Sequence, residues 1–402
     1  MRYINPLSHT RVRRLARPVR EFIRTEAFSG VFLLACAGVA LLWANSPWDD
    51  SYRDLFTTHL NLDTGLFTIN EDLRGWIDDG PMVLFFLVIG LEIKREYSGG
   101  DLSGRSALLP GIAALGGMVV PALIYSAVDA GGDGARGWAI PMATDTAFAL
   151  GILALAPRIT PSVRIFLLAL AVVDDIGSIL VIALFYSGDV DFAWLAAAVV
   201  LVAAMFALRR SLMRSDTLFF LGGFFVWLAA LQSGVSTAIF GVALGLITVH
   251  RRLPRNVESP VTRRERRLHP ITSFAIVPLF ALANAGVSLS LSGDSLTNAV
   301  TLGVVVARVA GKPIGIVLFT FAALQLRLVE LPRGMRLRDI LAVGALAGIG
   351  FTVSLLVTEL AFGEGALADD AKLGIIGSAL VSGALGYLVL FASTRRRPST
   401  DR

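Results

Sequence analysis

Residues 165–186 read IFLLALAVVDDIGSILVIALFY, with two adjacent acids, Asp174 and Asp175, in the middle of an apolar run. The run is long enough to cross a bilayer as a helix, which takes about 20 apolar residues. A charged side chain at the centre of a bilayer costs roughly 2.5 to 3.5 kcal/mol on insertion scales. Two such acids in one span therefore predict a functional site inside a membrane.

The whole chain shares the apolar character of this segment. Of its 402 residues, 55% are hydrophobic and 17% are charged, and the mean hydropathy is +0.69, whereas soluble proteins carry about a quarter charged residues. This composition excludes a water-soluble fold. The strands of an outer-membrane barrel alternate apolar and polar residues in segments of roughly ten, and this chain instead has long unbroken apolar blocks. We predict an all-α polytopic membrane protein, since a helix satisfies its backbone hydrogen bonds within its own segment.

Apolar blocks near 20 residues in length recur along the sequence and predict about twelve transmembrane helices. Lys and Arg collect on the cytoplasmic side of a membrane, and 30 of the 36 basic residues lie in or beside alternate loops and the two termini. This alternation predicts that both termini are cytoplasmic, and it accounts for the net charge of +5 without nucleic acid. The predicted spans are 27–44, 76–93, 107–126, 138–156, 163–187, 192–208, 217–232, 235–249, 270–288, 298–325, 339–361 and 373–394.

The predicted spans form a single transmembrane transport domain at 27–394. A basic cytoplasmic flank with seven arginines precedes it at 1–26, and a cytoplasmic tail follows at 395–402. The acidic loop 46–79 then faces outside. No loop is long or polar enough for a separate soluble domain, and the sequence has no G-x-x-x-x-G-K-[ST] phosphate loop, so ATP is not expected to drive this chain. The single cysteine, Cys36, excludes an internal disulfide and a cysteine metal cluster, and no cofactor is predicted.

Two more ionisable residues, Asp145 and Lys312, lie deep in predicted spans. With Asp174 and Asp175 they would cost on the order of 10 to 14 kcal/mol if isolated, which is comparable with the net stability of a domain. They must therefore be paired, hydrated or protonated. Adjacent helix positions point about 100° apart, so we expect one of the adjacent aspartates to face a water-filled cavity and the other a neighbouring helix. Arg308, one turn before Lys312, either reaches the same cavity or pairs with an acid.

Two predicted spans are interrupted. In the first, Pro141 and the polar triplet 144–146 break a helical run, because proline removes a backbone donor and the polar side chains can cap the freed groups. The second interruption is the glycine-rich stretch 344–354, GALAGIGFTVS. Paired interruptions in two halves of a chain predict a transport site between inverted-topology repeats, here about 107–187 and 298–394. A proline kink with side-chain caps is the alternative for the first interruption.

Six segments in combination resemble the NhaA-type sodium/proton antiporter family. The resemblance extends from about residue 27 to 394, and it implies twelve helices, of which two are broken and cross near the midplane of the membrane. The six segments are FFLVIGLEIKRE (85–96), GWAIPMATDTAFALGILAL (137–155), IFLLALAVVDDIGSILVIALFY (165–186), PLFALANAGVSL (278–289), GKPIGI (311–316) and GIGFTVSLL (348–356).

The resemblance also implies roles for the buried charges. Asp175 would be the principal cation ligand and proton carrier, Asp174 its partner, and Lys312 the counter-charge to Asp174. Asp145 and Thr144 would contribute where the broken helices cross. The transported ion at Asp175 and Asp174 would be Na⁺ or Li⁺.

A charged cluster at the inner ends of the spans matches the cytoplasmic funnel and pH response of the family. From the positions alone, a solvated helix end with i,i+4 pairing is an equally good interpretation. The chain departs from the family pattern at Ser236, where the pattern has a histidine; a hydroxyl does not titrate near neutral pH, so an altered pH profile is expected. The acidic outer loop resembles the part through which the family pairs subunits, which suggests a homodimer. The cluster consists of Glu92, Arg95, Glu96, Glu265 and His269.

The sequence thus predicts an electrogenic secondary antiporter and not an enzyme. It would exchange intracellular Na⁺ or Li⁺ for external protons under pH regulation, in the inner membrane of a bacterium. Three alternatives stay open: a proton-coupled transporter of another cation or a small solute, a passive cation channel, and an intramembrane aspartyl protease. The protease needs two aspartates on separate helices, which Asp145 and Asp174 could supply, but a G-x-G-D element is missing and Lys312 would neutralise the pair.

Overall fold

The computed structural model describes nine segments of the chain, and within them the protein is mainly helical. The predicted basic flank 1–26 and all but the first residue of the predicted tail 395–402 lie outside these segments. The described residues are 28–63, 68–99, 108–156, 159–187, 190–209, 215–249, 259–287, 297–332 and 334–395.

Most of the helices follow the predicted apolar blocks, but Asp49–Phe56 and Pro260–Ile271 lie wholly or mainly in segments that were predicted as loops. Those of the first half are α1 Phe28–Ala44, α2 Asp49–Phe56, α3 Leu73–Asp79, α4 Pro81–Gly99, α5 Leu108–Val128, α6 Thr146–Leu155 and α7 Pro161–Phe185. Those of the second half are α8 Phe192–Ala207, α9 Asp216–Gln232, α10 Thr237–Ile247, α11 Pro260–Ile271, α12 Val277–Asn284, α13 Ala299–Gln325, α14 Leu337–Ala347, α15 Thr352–Phe362 and α16 Ala366–Arg395. A π turn, Thr272–Ile276, joins α11 to α12.

Several of these helices can cross a membrane, so the chain is a multi-pass membrane protein. Among the described residues, α5, α7, α13 and α16 are long and apolar enough to do so alone. The pairs α1 with α2, bent by 115°, and α14 with α15, bent by 49°, raise the number to six. The apolar helices α6, α8, α9 and α10 have only 10–17 residues, which at 1.5 Å per residue is about 15 to 26 Å, shorter than a hydrocarbon core of about 30 Å. Twelve spans therefore stay a prediction.

The acidic loop 46–79 contains a small antiparallel sheet, and at this point the all-α prediction is wrong. Strand β1, His59–Asp63, pairs with β2, Thr68–Asp72, with His59 opposite Asp72. The segment HLNLD alternates polar and apolar residues with the two-residue period of a strand. A search for long apolar blocks does not detect strands of this length and polarity.

A close contact between α5 and α13 fixes the position of the buried lysine. A Cβ added at Gly116 would lie 2.3 Å from the carbonyl oxygen of Gly315, and one added at Gly315 would lie 2.1 Å from that of Gly116. Only glycine lets two backbones approach this closely. A Cβ at the next residue, Gly117, would lie 3.7 Å from Cδ of Lys312, so the lysine stem runs along this contact.

The basic helix α11 is held by one carboxylate at the start of α9. Arg264, which is 1% exposed, donates to Asp216 Oδ1 at 3.1 Å and lies 3.8 Å over the ring centre of Phe219. Arg263 and Arg267 bind the same carboxylate at 3.0 and 2.7 Å. Burial opposes the charge on Asp216, but Arg264 and Arg263 outweigh it and hold the pKa of that carboxyl below its usual value. This contact fixes where the other side chains of α11 lie.

Candidate functional site

The two interrupted segments contact each other through hydrogen bonds. The chain has no helix at 143–145 and again none at 349–351, as the proline and glycine patterns predicted. The backbone N–H of Asp145 donates to the carbonyl of Ile349 at 2.7 Å, and the Thr352 hydroxyl donates to Asp145 Oδ2 at 3.1 Å. Backbone groups that lose their helical partners at one interruption are therefore satisfied by the other.

Asp145 caps the helices that begin after both interruptions. Its carboxylate accepts a hydrogen bond from the backbone N–H of Phe148 in α6 at 3.3 Å and from that of Thr352 in α15 at 3.4 Å. A negative charge at a helix N-terminus is favourable, because unsatisfied N–H groups leave a partial positive charge there. One side chain thus stabilises the start of two helices at the place where the interrupted segments meet, which we call the crossing.

Asp174 and Lys312 form an ion pair, and both side chains are 0% exposed. Lys312 Nζ lies 2.5 Å from Asp174 Oδ2 and 2.8 Å from Thr144 Oγ1. The Thr144 hydroxyl lies 2.6 Å from Asp174 Oδ2 and 3.0 Å from the carbonyl of Ala347. Since one hydroxyl proton serves one acceptor at a time, Thr144 accepts from the lysine and donates to either oxygen. The pair is thereby anchored to both interrupted segments.

Asp175 points away from this pair, as the 100° step between helix neighbours predicts. Its side chain borders a cavity of about 280 Å³, whereas Asp174 and Lys312 do not. Within the described residues, no protein group donates a hydrogen bond to the Asp175 carboxylate. That carboxylate therefore offers its oxygens to whatever enters the cavity.

The cavity brings together eight of the ten residues that the sequence singled out. It extends along α4 from Phe85 to Glu96, a rise of about 16 Å at 1.5 Å per residue. Thr146 adds a hydroxyl to the wall beside Asp175, and small hard cations prefer such oxygen ligands. The eight residues are Glu92, Arg95, Glu96, Thr144, Asp145, Asp175, Glu265 and His269.

The charged cluster at the mouth of the cavity is paired across two helices. Arg95 of α4 donates to Glu265 of α11 and, through Nε at 3.1 Å, to Glu96. The pKa of the Glu265 carboxyl is raised by burial, and Arg95 only partly opposes the shift. The contact joins two helices, so it is more than i,i+4 pairing within one helix end.

Ser236 lies in a second cavity, of about 320 Å³, at the other end of α4. Two adjacent acids border it: Asp78 Oδ1 accepts from Asn284 Nδ2 at 2.8 Å, and Asp79 Oδ1 accepts from the Thr237 hydroxyl at 2.8 Å. The departure from the family pattern is thus separated from the cluster of Arg95 and from Asp175.

Sequence reasoning missed two parts of the crossing. Thr352 stands in the quoted segment GIGFTVSLL, but nothing in the sequence identifies Asp145 as its partner. Arg308 is predicted to reach the cavity or to pair with an acid, but it does not border the cavity and its guanidinium binds other groups. The arginine donates to carbonyl groups of Ile140 and Gly350 and to the hydroxyl of Ser354.

A buried cation–carboxylate pair next to a carboxylate that borders a cavity, inside a bundle of apolar helices, is typical of a membrane transporter of small ions. The chain belongs to the Na⁺/H⁺ antiporter 1 family, whose model matches residues 20–390. It is 42% identical to "Na(+)/H(+) antiporter NhaA" of Escherichia coli O139:H28, over 95% of this chain and 99% of that protein. It is 40% identical to the NhaA antiporter of Janthinobacterium sp. (strain Marseille), over 98% of this chain and 96% of that protein, and 43% identical to NhaA 2 of Sorangium cellulosum, over 94% and 92%.

A solved structure shares the fold at low sequence identity. It is that of the sodium proton antiporter MjNhaP1 from Methanocaldococcus jannaschii at pH 8, with a TM-score of 0.54 and 15% identity over 92% of each chain. At this identity the likeness concerns the fold alone.

Proposed function

We propose that this protein is an electrogenic secondary antiporter that exchanges intracellular Na⁺ or Li⁺ for external protons under pH regulation. The observation that carries the proposal is that the two adjacent acids have different surroundings. Asp175 borders the cavity, while Asp174 is buried against Lys312 at 2.5 Å. Asp175 is then the principal cation ligand and proton carrier, and Asp174 is its partner.

Exchange follows from competition at the Asp175 carboxylate. A small hard cation prefers oxygen ligands, and a carboxylate that holds a proton cannot also hold that cation. The site therefore alternates between a protonated and a cation-bound form. Movement of one group of helices against the other exposes it to each side in turn.

Electrogenic transport needs a second proton for each sodium ion. Asp174 and Lys312 are the candidates, because their charges interact with Asp175 and a change at one biases the other. The Asp174–Lys312 contact also argues against an aspartyl protease, since a carboxylate bonded to an ammonium is not available to share a proton with Asp145.

The proposed topology has about twelve spans, with inverted repeats at about 107–187 and 298–394, both termini in the cytoplasm of a bacterium, and the domain limits predicted above. The loop-charge alternation supports the orientation, and the bonded interruptions before α6 and α15 support the repeats. A homodimer through the outer loop belongs to the same proposal, which is supported by β1, a strand exposed along its whole length.

Ion replacement in a proton-flux assay tests this function. Purified protein in proteoliposomes is exposed to Na⁺, Li⁺, K⁺ or no added cation, with a pH-sensitive dye inside. We expect Na⁺ and Li⁺ to move protons at a rate that responds to membrane potential, and K⁺ to give the background of empty vesicles. Sodium flux without proton movement would instead identify a channel, and the absence of any flux would contradict transport of these ions.

Glu265→Gln tests the pH response. The raised pKa of Glu265 means that its negative charge is present at alkaline pH and lost as the pH falls. Removing that charge eases proton release from the cavity, so the pH of half-maximal exchange should decrease, and the two proteins should converge at acid pH. Arg95, His269 and Glu96 face Glu265 and remain in place.

The measurement is the exchange rate in proteoliposomes between pH 5 and 9. Glu330→Gln makes the same chemical change at an exposed acid between α13 and α14 that does not border the cavity. It is the matched control and should leave the profile unchanged. An unaltered profile in Glu265→Gln would remove Glu265 from the pH response.

A further inference from the structure

Arg308 is a fully buried charge to which the exchange chemistry gives no part. Its side chain is 0% exposed and lies in the π turn Ala307–Gly311 of α13, one turn before Lys312. Removing a guanidinium from water is costly unless partners compensate the charge and fill its hydrogen bonds. Turns of this type inside α-helices are frequent at functional sites. The partners of Arg308 therefore indicate what it does.

The Arg308 guanidinium binds both interrupted segments at once. Nη2 donates to the carbonyl of Ile140 at 2.7 Å and to Ser354 Oγ, and Nη1 donates to the carbonyl of Gly350. The Ser354 hydroxyl in turn donates to Ile140 at 2.7 Å. A planar guanidinium presents five N–H donors in a fixed fork. A single side chain therefore joins Ile140 to Gly350 and Ser354, which lie more than 200 residues further along the chain.

The two carbonyl groups that bind Arg308 lie at or just after the C-terminal ends of the helical segments that precede the interruptions. Ile140 follows the 3-10 turn Ala135–Ala139, and Gly350 comes two residues after the C-cap of α14. Carbonyl ends carry partial negative charge and N–H ends carry partial positive charge. Asp145 already occupies the N–H ends of α6 and α15. At the crossing, Asp145 therefore binds the N-terminal ends of the two helices that follow the interruptions. Arg308 binds carbonyl groups at the C-terminal ends of the two helical segments that precede them.

The crossing has no room to adjust around this contact. A Cβ added at Gly350 would lie 2.3 Å from the carbonyl oxygen of Ala143 and 2.7 Å from Nη1 of Arg308. One added at Gly348 would lie 2.8 Å from the backbone oxygen of Arg308. The second interruption is therefore packed directly on both the first interruption and α13, and the arginine fork joins the two interruptions.

We propose that Arg308 is a positioning residue: it holds the carbonyl ends of both interrupted segments in register, which leaves the Lys312 ammonium to Asp174 and Thr144. The inference rests on the proposed function, because the segments it holds carry the cavity wall beside Asp175. Thr144 and Asp145 follow Ile140 by four and five residues. A shift of Ile140 therefore displaces the oxygens that a cation at Asp175 would use.

Several charged groups act on the cavity together with Arg308. Asp145 and Lys312 interact with the arginine electrostatically. Asp175 interacts electrostatically with Asp174 on α7, Glu92 on α4, Asp145 before α6 and Lys312 on α13. Removing the Arg308 charge leaves this set more negative, so protons should be released from the cavity only at higher pH.

The test compares Arg308→Gln, which lacks the charge, with Arg308→Lys, which keeps the charge but not the fork. Both should raise the apparent KM for Na⁺ by about ten-fold, the equivalent of losing one hydrogen bond to a charged group. Only Arg308→Gln should move the pH of half-maximal exchange upward. Tyr125→Phe is the control for loss of a buried hydrogen bond, here to Gly134 at 2.8 Å; it should lower the melting temperature and leave KM and pH profile unchanged.

Amide hydrogen exchange supplies a readout that does not depend on transport. Exchange should be faster in both 140–150 and 348–356 in the two Arg308 variants, and unchanged there in Tyr125→Phe. If the wild type moves no protons, the proposed function fails while this comparison still decides the role of Arg308. Unchanged amide exchange in these segments would overturn the inference, as would wild-type KM and pH profile in both variants with only a lower melting temperature.

Discussion

Asp175→Asn is expected to abolish sodium-induced proton movement while the protein still folds and inserts. The amide has nearly the same shape as the carboxylate, but it neither carries a negative charge nor binds a proton at working pH. Asp175 borders the cavity, so the substitution removes the group for which cation and proton compete and breaks no hydrogen bond within the described part of the chain. The measurement is dye-reported proton flux in inverted vesicles after addition of Na⁺.

Asp50→Asn is the matched control, because it makes the same chemical change at an exposed acid of α2. It should exchange at the wild-type rate. The melting temperature of Asp175→Asn should stay close to that of the wild type, which separates loss of chemistry from loss of fold. Normal exchange in Asp175→Asn would contradict the assignment of this residue as the proton carrier.

Lys312→Ala is expected to lower both thermal stability and exchange. The substitution leaves Asp174 buried beside Thr144 without its ammonium partner at 2.5 Å. Breaking a buried pair by removing one partner costs about 3 to 5 kcal/mol. A decrease in melting temperature of about 5 °C or more follows from a loss of this size, and it can be measured by the thermal unfolding of detergent-purified protein.

The double variant Lys312→Ala with Asp174→Asn separates the ion pair from the packing of the lysine stem. Removing both charges takes away the uncompensated carboxylate, so the double variant should recover much of the lost stability without recovering exchange. Equal melting temperatures for Lys312→Ala and the wild type would show that the pair contributes nothing to the fold. Equal losses in the single and double variants would assign the cost to packing.

The helix positions could be predicted because apolar blocks are a local property of the sequence. The block at 163–187 became α7, Pro161–Phe185, and the block at 298–325 became α13. The ends of the helices were predicted less well where charged residues lie next to an apolar block. The span predicted at 270–288 belongs to a helical stretch that begins at Pro260, ahead of the arginines of α11. Amphipathic and basic residues continue a helix as readily as apolar ones, so hydropathy does not mark where that helix begins.

The sequence identified most residues of the candidate site, but it did not predict most of the contacts between them. The split between Asp174 and Asp175 follows from helix geometry, and the structure places them as that geometry requires. The pairing of Arg95 with Glu265 and the capping of α15 by Asp145 join residues on separate helices. No spacing along the chain encodes these pairs, because they depend on which helix faces lie against each other.

The sequence by itself determined that this is a membrane protein, that its spans contain acids and a lysine, and that two of these spans are interrupted. Each of these follows from composition or from local period, which the chain carries wherever it folds. The family resemblance already implied that Lys312 is the counter-charge to Asp174. Only the tertiary structure decided that Arg308 joins Ile140 to Gly350 and that Asp145 caps α15. The physical reason is that a buried charge takes whichever partner the packing of helices brings within hydrogen-bond distance.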